Sequence, residues 1–110
     1  MRENDVLQTL LQVIQDILAA HSVHLEQVFL FGSRARGQGA PHSDWDLYVL
    51  VGEDLQPQLR HRLITEIKRE LARRRIPNDI VIQSVERFQR IRMYPGHLSY
   101  EVAREGVPLL

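Results

Sequence analysis

The chain has 110 residues, and its 14 lysines and arginines are balanced by 14 aspartates and glutamates. This length fits a single domain, which we expect over residues 1–110, and the neutral balance argues against direct binding of nucleic acid, which needs a basic surplus. The chain contains no cysteine, which excludes disulfides and thiol nucleophiles. It also contains no apolar run near the ~20 residues of a membrane span, so we expect a cytoplasmic protein without a membrane partner.

The hydrophobic pattern of the first half predicts one helix and two strands. Apolar residues from Val6 to Leu18 recur at spacings of three and four, which predicts an amphipathic helix. The apolar run 28–31 and the run 44–51, which is apolar after its two aspartates, each end before a glycine and predict strands. Between them, residues 33–43 are rich in glycine and predict a loop with a helical turn at its start.

The second half continues the alternation of helices and strands. Leucines and an isoleucine spaced by four between Leu55 and Leu71 predict a second long helix, and the run 79–82 predicts a third strand. Residues 86–105 are typical of helical pieces broken at Pro95, with Gly106 as a C-terminal cap. The order helix, strand, strand, helix, strand, helix predicts an α/β (α+β) domain in which helices flank a small mixed sheet.

Two carboxylates stand at the start of the second predicted strand. Asp44 and Asp46 are two residues apart, so their side chains point to the same face, while Trp45 points to the other face and is expected in the core or at an interface. Adjacent carboxylates repel each other unless a cation lies between them, and Mg²⁺ prefers such oxygen ligands. The pair alone is equally compatible with a turn at Asp44 followed by a solvated edge residue.

A second group of candidate residues lies just upstream. Gly32 and Ser33 end the first predicted strand, where a reversal into a helical turn exposes backbone N–H groups that attract phosphate. Arg34 and Arg36 add guanidinium groups that suit phosphate oxygens. A turn at Gly32 capped by Ser33 explains the glycine without a ligand, but not the two arginines beside a carboxylate pair. A Walker A loop is excluded because the residues after Gly37 are not its lysine and Ser or Thr.

The spacing of the two groups resembles a known family signature. Gly32-Ser33, ten intervening residues and then Asp44-x-Asp46 are similar to the motif of the DNA polymerase β-type nucleotidyltransferase superfamily. Four fixed residues at fixed spacing arise by chance in such a chain on the order of once in a thousand. The resemblance implies the polymerase β-type nucleotidyltransferase fold, ATP as the substrate and two Mg²⁺ ions held by aspartates.

The same resemblance implies a third aspartate on a neighbouring strand, and Asp79 is the candidate. In the superfamily this residue completes the metal site and accepts the proton of the attacking hydroxyl. Taken by itself, Asp79 is also explained as a turn residue after Asn78. The resemblance assigns catalysis and metal binding to three carboxylates: Asp44, Asp46 and Asp79. It assigns nucleotide binding to four residues of the turn: Gly32, Ser33, Arg34 and Arg36.

Three longer strings narrow the resemblance to the minimal nucleotidyltransferase (MNT) branch of the superfamily. They are residues 31–37, residues 43–47 and the ending 105–110. Members of this branch pair with HEPN-domain proteins as toxin–antitoxin systems, and some of these antitoxins transfer AMP from ATP to a tyrosine of the toxin. The resemblance therefore implies an ATP- and Mg²⁺-dependent protein adenylyltransferase that acts as the antitoxin of a HEPN-domain toxin.

Two alternatives remain open. The protein is an antitoxin that masks its partner without catalysis, or a small-molecule nucleotidyltransferase, similar to the aminoglycoside-modifying enzymes, whose acceptor pocket a separate subunit completes. About 64 residues follow Asp46, and we expect the fold to consume them, so the acceptor hydroxyl should come from another macromolecule. The arginines between residues 60 and 75 suit a solvated helix face, which we favour, or the docking of an acidic partner.

Overall fold

The structure, a computed structural model, describes residues 2–110, in which four strands and five helices form a mixed α/β arrangement. In chain order the helices are α1 (Glu3–Ala20), α2 (Gly32–Ala35), α3 (Pro57–Arg73), α4 (Val85–Ile91) and α5 (Leu98–Glu105). The strands are β1 (Leu25–Phe31), β2 (Trp45–Val51), β3 (Asn78–Ser84) and β4 (Val107–Pro108). The predicted fold class is confirmed, and no helix within residues 2–110 is both long and apolar enough to cross a membrane.

The four strands form one sheet in the order β3-β2-β1-β4. Strand β1 is antiparallel to β2 and to β4, whereas β2 and β3 run parallel and are joined by the crossover helix α3. The register pairs Asp46 with Phe31 on one side and with Asp79 on the other. Strand β2 therefore lies between β1 and β3, and the predicted site residue Asp46 stands near its start.

The larger core lies between one face of the sheet and the two long helices. Helix α1 buries Leu10, Ile14 and Leu18 at spacings of four, and α3 buries Leu63, Ile67 and Leu71 in the same way, as the sequence pattern predicts. The sheet contributes the alternate side chains of β2 to this core: Trp45, Leu47, Val49 and Val51. Trp45 is thus in the core, which confirms the prediction from strand alternation.

A smaller core covers the other face of the sheet. Tyr48 and Leu50 of β2 pack there with Phe88 of α4 and Val102 of α5. The Tyr48 hydroxyl forms a buried hydrogen bond with the Ser99 hydroxyl, which ties α5 to β2. Asp44 and Asp46 share this face by alternation, but they lie at the end of β2 that precedes Tyr48.

The last residues form a strand that the sequence analysis did not predict. Val107 pairs with Leu30, and Leu109 N–H donates to the Val28 carbonyl at 2.8 Å. Gly106 is the C-cap of α5, as predicted, although its backbone is extended at φ −66° rather than left-handed. Strand β4 therefore pairs with the edge of β1 that faces away from β2.

Candidate active site

Three carboxylates lie near the start of β2 and β3. Asp46 is the second residue of β2 and is half-buried, whereas Asp44 precedes the strand by one residue and is exposed. Asp79 lies opposite Asp46 in the parallel register, on a strand about 4.8 Å away, and its side chain is 61% exposed. The sheet thus places the three carboxylates that the sequence predicts at the same end of two neighbouring strands, although within residues 2–110 they are not close enough together to form a metal site.

The charges of this group act on Asp46. The pKa of Asp46 is raised above its ordinary value, first by burial and then by the negative charges of Asp79 and Asp44, while Arg36 acts in the opposite direction. The raised pKa means that the surroundings of Asp46 in the folded chain disfavour the charged form of its carboxyl group. A bound cation removes this penalty, and hard oxygen donors on one face of the sheet fit a divalent ion such as Mg²⁺.

Asp79 has a basic neighbour from the helix that precedes it. Lys68 of α3 places Nζ 3.9 Å from Oδ1 of Asp79. Within residues 2–110, no three acidic or histidine side chains are gathered closely enough to form a ready-made metal cage. Sequence reasoning missed Lys68, because a lysine ten residues before a strand gives no signal that it reaches that strand.

Gly32 stands where the turn after β1 approaches Asp46. Its φ of +74° is left-handed, and a Cβ at this position would lie 2.0 Å from Oδ2 of Asp46. The sequence predicts a turn at this glycine. The structure adds a second reason for it, since the carboxylate of Asp46 occupies the space that a side chain needs.

Ser33 is the second residue of the short helix α2. The helix begins after Phe31, whose side chain cannot accept a hydrogen bond, so the explanation of Ser33 as the cap of this turn is wrong. The Ser33 carbonyl accepts the N–H groups of Arg36 and Gln38 and closes the turn. The N–H groups of the first turn point along the helix axis at its start, where anions are favoured.

Arg34 binds the loop rather than the carboxylate group. Its Cζ lies 4.1 Å from the centre of the Trp45 ring, on the face opposite to Asp46. Its Nε donates to the carbonyl of Ser43 at 3.0 Å, and Nη2 donates to the carbonyl of Ala40 at 3.2 Å. The structure therefore does not bring Arg34 together with the other predicted site residues. Arg34 instead stabilises the loop that leads into Asp44 through these hydrogen bonds, a role that sequence reasoning missed.

Arg36 is the arginine on the side of the carboxylates. It is exposed, and its charge lowers the pKa of Asp46. A cavity of about 220 Å³ lies beside Gly32 and Arg36 and is closed on its other side by Leu98 and Glu101 of α5. Glu105 also lines this cavity, whereas Asp46 does not, so the cavity lies beside the turn and is separate from the carboxylate group.

The family model that matches the chain is "Polymerase beta, Nucleotidyltransferase", over residues 12–110. No curated protein matches the chain. A solved structure of a tri-AMPylated HEPN toxin with its MNT antitoxin, from Shewanella oneidensis, is 19% identical, with a TM-score of 0.62 over 99% of this chain and 72% of that one.

Two further solved structures are similar in fold. A mutant toxin–antitoxin complex named MntA-HpeT is 21% identical, with a TM-score of 0.60 over 100% of this chain and 73% of that one. A toxin–antitoxin structure with AMP-PNP is 24% identical, with a TM-score of 0.56 over 90% of this chain and 71% of that one. At these identities the similarity establishes the fold.

Proposed function

The chain belongs to the polymerase beta nucleotidyltransferase family, and from this membership we propose that it is the antitoxin of a HEPN-domain toxin and transfers AMP from ATP to a tyrosine of that toxin. The observation that carries the proposal is the position of Asp46. It lies between Asp79 on a parallel strand and the Gly32 turn, and burial together with two neighbouring carboxylates raises its pKa. Such a group is suited to hold a cation against a phosphate.

The carboxylates of Asp44, Asp46 and Asp79 are the residues that would hold Mg²⁺, as one or two ions. When bound, Mg²⁺ stabilises the charge on the entering and leaving oxygens of the reaction. Asp46 is the inner ligand of this set because it is half-buried and flanked by the other two. Asp44 and Asp79 are exposed, so their oxygens remain reachable from solvent and from substrate.

Asp79 is the proposed general base. It lies on β3, an edge strand of the sheet, so a hydroxyl of a partner protein can approach it without displacing another strand. The acceptor oxygen forms a bond to the α-phosphorus, its proton passes to Asp79, and the bond from the α-phosphorus to the leaving pyrophosphate breaks. Lys68 compensates the negative charge of Asp79 in the free protein.

The phosphates are proposed to lie on the opposite side of Asp46, at the Gly32–Ser33 turn. The backbone N–H groups at the start of α2 and the Ser33 hydroxyl supply donors, and Arg36 supplies a positive charge next to Asp46. Arg34 acts indirectly, because it holds the loop from Ala40 to Ser43 that leads into Asp44. The acceptor therefore approaches on the β3 side of Asp46 and the pyrophosphate departs on the β1 side, as displacement at phosphorus requires.

The similar solved structures support the choice of partner and nucleotide. Each of the three is a toxin–antitoxin structure, one with a tri-AMPylated HEPN toxin and another with AMP-PNP. Those ligands and partners belong to those proteins. For this chain they support a HEPN-domain toxin as the acceptor protein and ATP as the donor.

A neutralisation assay separates transfer from masking. With ATP and Mg²⁺, the protein should add AMP to the toxin, release pyrophosphate and abolish toxicity. The double variant Asp44→Asn/Asp46→Asn should still bind the toxin but add no AMP and fail to neutralise it. Asp54→Asn changes an exposed carboxylate beyond the far end of β2 and should behave like the parent. If the double variant neutralises the toxin as well as the parent does, the protein acts by masking.

A further inference from the structure

Helix α3 ends with an arginine at a position that favours glycine. Arg75 N–H donates to the Ala72 carbonyl and Ile76 N–H donates to the Leu71 carbonyl, each at 2.9 Å, which is the Schellman pattern. Arg75 takes the left-handed position of this motif with φ +60°. A side chain there strains the backbone, whereas glycine does not. The arginine is therefore not explained by the end of the helix alone.

Helix α1 ends in the same way and offers a comparison. Ser22 N–H donates to the Ala19 carbonyl and Val23 N–H donates to the Leu18 carbonyl, and Ser22 has φ +58°. Both helix ends thus carry a strained residue other than glycine. Ser22 does not line the cleft that lies beside Arg75, so it isolates the backbone effect from the effect of charge in that cleft.

Arg75 lines a cleft of about 740 Å³ between the end of α3 and the start of β3. Lys68 and Arg69 lie on the same wall, and Asp44 and Asn78 form its inner side. The cleft thus joins the carboxylate group, and it does so at the β3 edge of the sheet, away from the turn at Gly32.

Two properties of this cleft indicate that it is open to an acidic ligand. Glu70 forms ion pairs with Arg73 and Arg74, but within residues 2–110 no carboxylate lies within 4.0 Å of a nitrogen of Arg69 or Arg75. Asn78 donates through Nδ2 to the Ile76 carbonyl, while its Oδ1 is buried without a hydrogen-bond partner among the described residues. A bound chain segment can supply a donor to this oxygen and carboxylates to the arginines.

We infer that this cleft binds an acidic segment of the acceptor protein and so directs the acceptor hydroxyl toward Asp79. This inference rests on the proposed function, since it names the chemistry of the acceptor. Arg75 lines this cleft, so its side chain has a use at the end of α3 that a glycine would not supply. Arg75 is on the α3 side of this cleft and does not line the cavity at the Gly32 turn, where the phosphates are proposed to lie, so replacing Arg75 should leave the affinity for ATP unchanged.

A binding assay without ATP tests this inference apart from catalysis. The probes are two fluorescent tyrosine peptides, one flanked by glutamates and one by lysines, and a single-stranded RNA. The glutamate peptide should bind best. Arg75→Gly should weaken its binding about two- to fivefold at low salt, the range expected for one exposed ion pair, and the difference should shrink at high salt. Ser22→Gly should bind like the parent.

Thermal unfolding of the same variants gives the second half of the test. Arg75→Gly and Ser22→Gly should both raise the Tm, because each removes a side chain from a left-handed position. Arg75→Asn, which tolerates that conformation, replaces Arg75→Gly if the glycine variant does not fold. Unchanged peptide binding by the Arg75 variant overturns the inference, and so does weaker ATP binding or a preference for the RNA. If the glutamate peptide binds as predicted but the protein adds no AMP to the toxin in a separate assay with ATP and Mg²⁺, the cleft is kept and the proposed function is rejected instead.

Discussion

Replacing Gly32 by alanine tests whether this glycine exists to admit the carboxylate of Asp46. The new Cβ would lie 2.0 Å from Oδ2 and 3.0 Å from Cγ of Asp46, in a residue with φ +74°. Gly37 is a matched control, since it has φ +70° but nothing within 4 Å of an added Cβ. The two substitutions therefore share the backbone strain and differ in the contact with Asp46.

The magnitudes follow from these two contributions. A left-handed alanine costs about 1–2 kcal/mol relative to glycine, and this is the whole expected cost of Gly37→Ala. In Gly32→Ala the carboxylate must also turn away from its position, which adds about 0.5–1.5 kcal/mol to the loss of stability. Because the displaced group is the central carboxylate of the site, Gly32→Ala should also abolish the Mg²⁺-dependent gain in ATP affinity, whereas Gly37→Ala should keep it.

Urea unfolding of the single and double variants measures the contact directly. In Gly32→Ala/Asp46→Ala the two nearest atoms, Oδ2 and Cγ, are gone and only Cβ of residue 46 remains, at 3.3 Å, so the cost assigned to Gly32→Ala on the Asp46→Ala background should fall toward that of Gly37→Ala. Calorimetry with ATP, with and without Mg²⁺, gives the functional comparison. The reasoning is refuted if Gly32→Ala costs no more than Gly37→Ala, or if the excess persists when Asp46 is alanine.

Three further outcomes follow from the structure. Asp46→Asn should raise the Tm in the absence of divalent ions, because burial and two neighbouring carboxylates disfavour the charge of Asp46. Mg²⁺ should raise the Tm of the parent more than the Tm of this variant, and an equal effect of Mg²⁺ on both would contradict the prediction. Glu53 raises the pKa of His24, and His24 lowers the pKa of Glu53, so the pair stabilises the fold fully between a pH of about 4.5 and about 6.5. The contribution of His24 is lost as the pH rises through its raised pKa. His24→Gln should reduce that decline in stability, as followed by unfolding at each pH in low salt. Arg34→Met should increase hydrogen–deuterium exchange in the loop before Asp44, whereas a role confined to phosphate binding would leave exchange in the free protein unchanged.

The sequence predicts the β2 side of the site well. Strand alternation places Asp44 and Asp46 on one face and Trp45 on the other, and this needs no knowledge of tertiary contacts. The position of Asp79 opposite Asp46 depends on the register of two strands separated by α3, which no local pattern determines. The family resemblance supplied Asp79, and the sheet shows where it lies.

The missed features are those that depend on distant contacts or on long side chains. Arg34 stands in a motif that suggests phosphate binding, but its flexible side chain reaches across to Trp45 and the loop carbonyls. Strand β4 has only two residues and includes Pro108, so it carries neither a hydrophobic alternation nor a strand-forming composition. It forms because β1 leaves an edge open, which the local sequence does not reveal.

The central claim is that this chain transfers the α-phosphoryl group of ATP, with its nucleoside, to a toxin. The most direct measurement uses ATP that carries radioactive phosphorus at either the α or the γ position, together with Mg²⁺ and the toxin. The account predicts that the α label appears on the toxin and the γ label in pyrophosphate, that Asp79→Asn stops the transfer, and that Asp54→Asn does not. Appearance of the γ label on the toxin, or neutralisation with no label from either position, would contradict it.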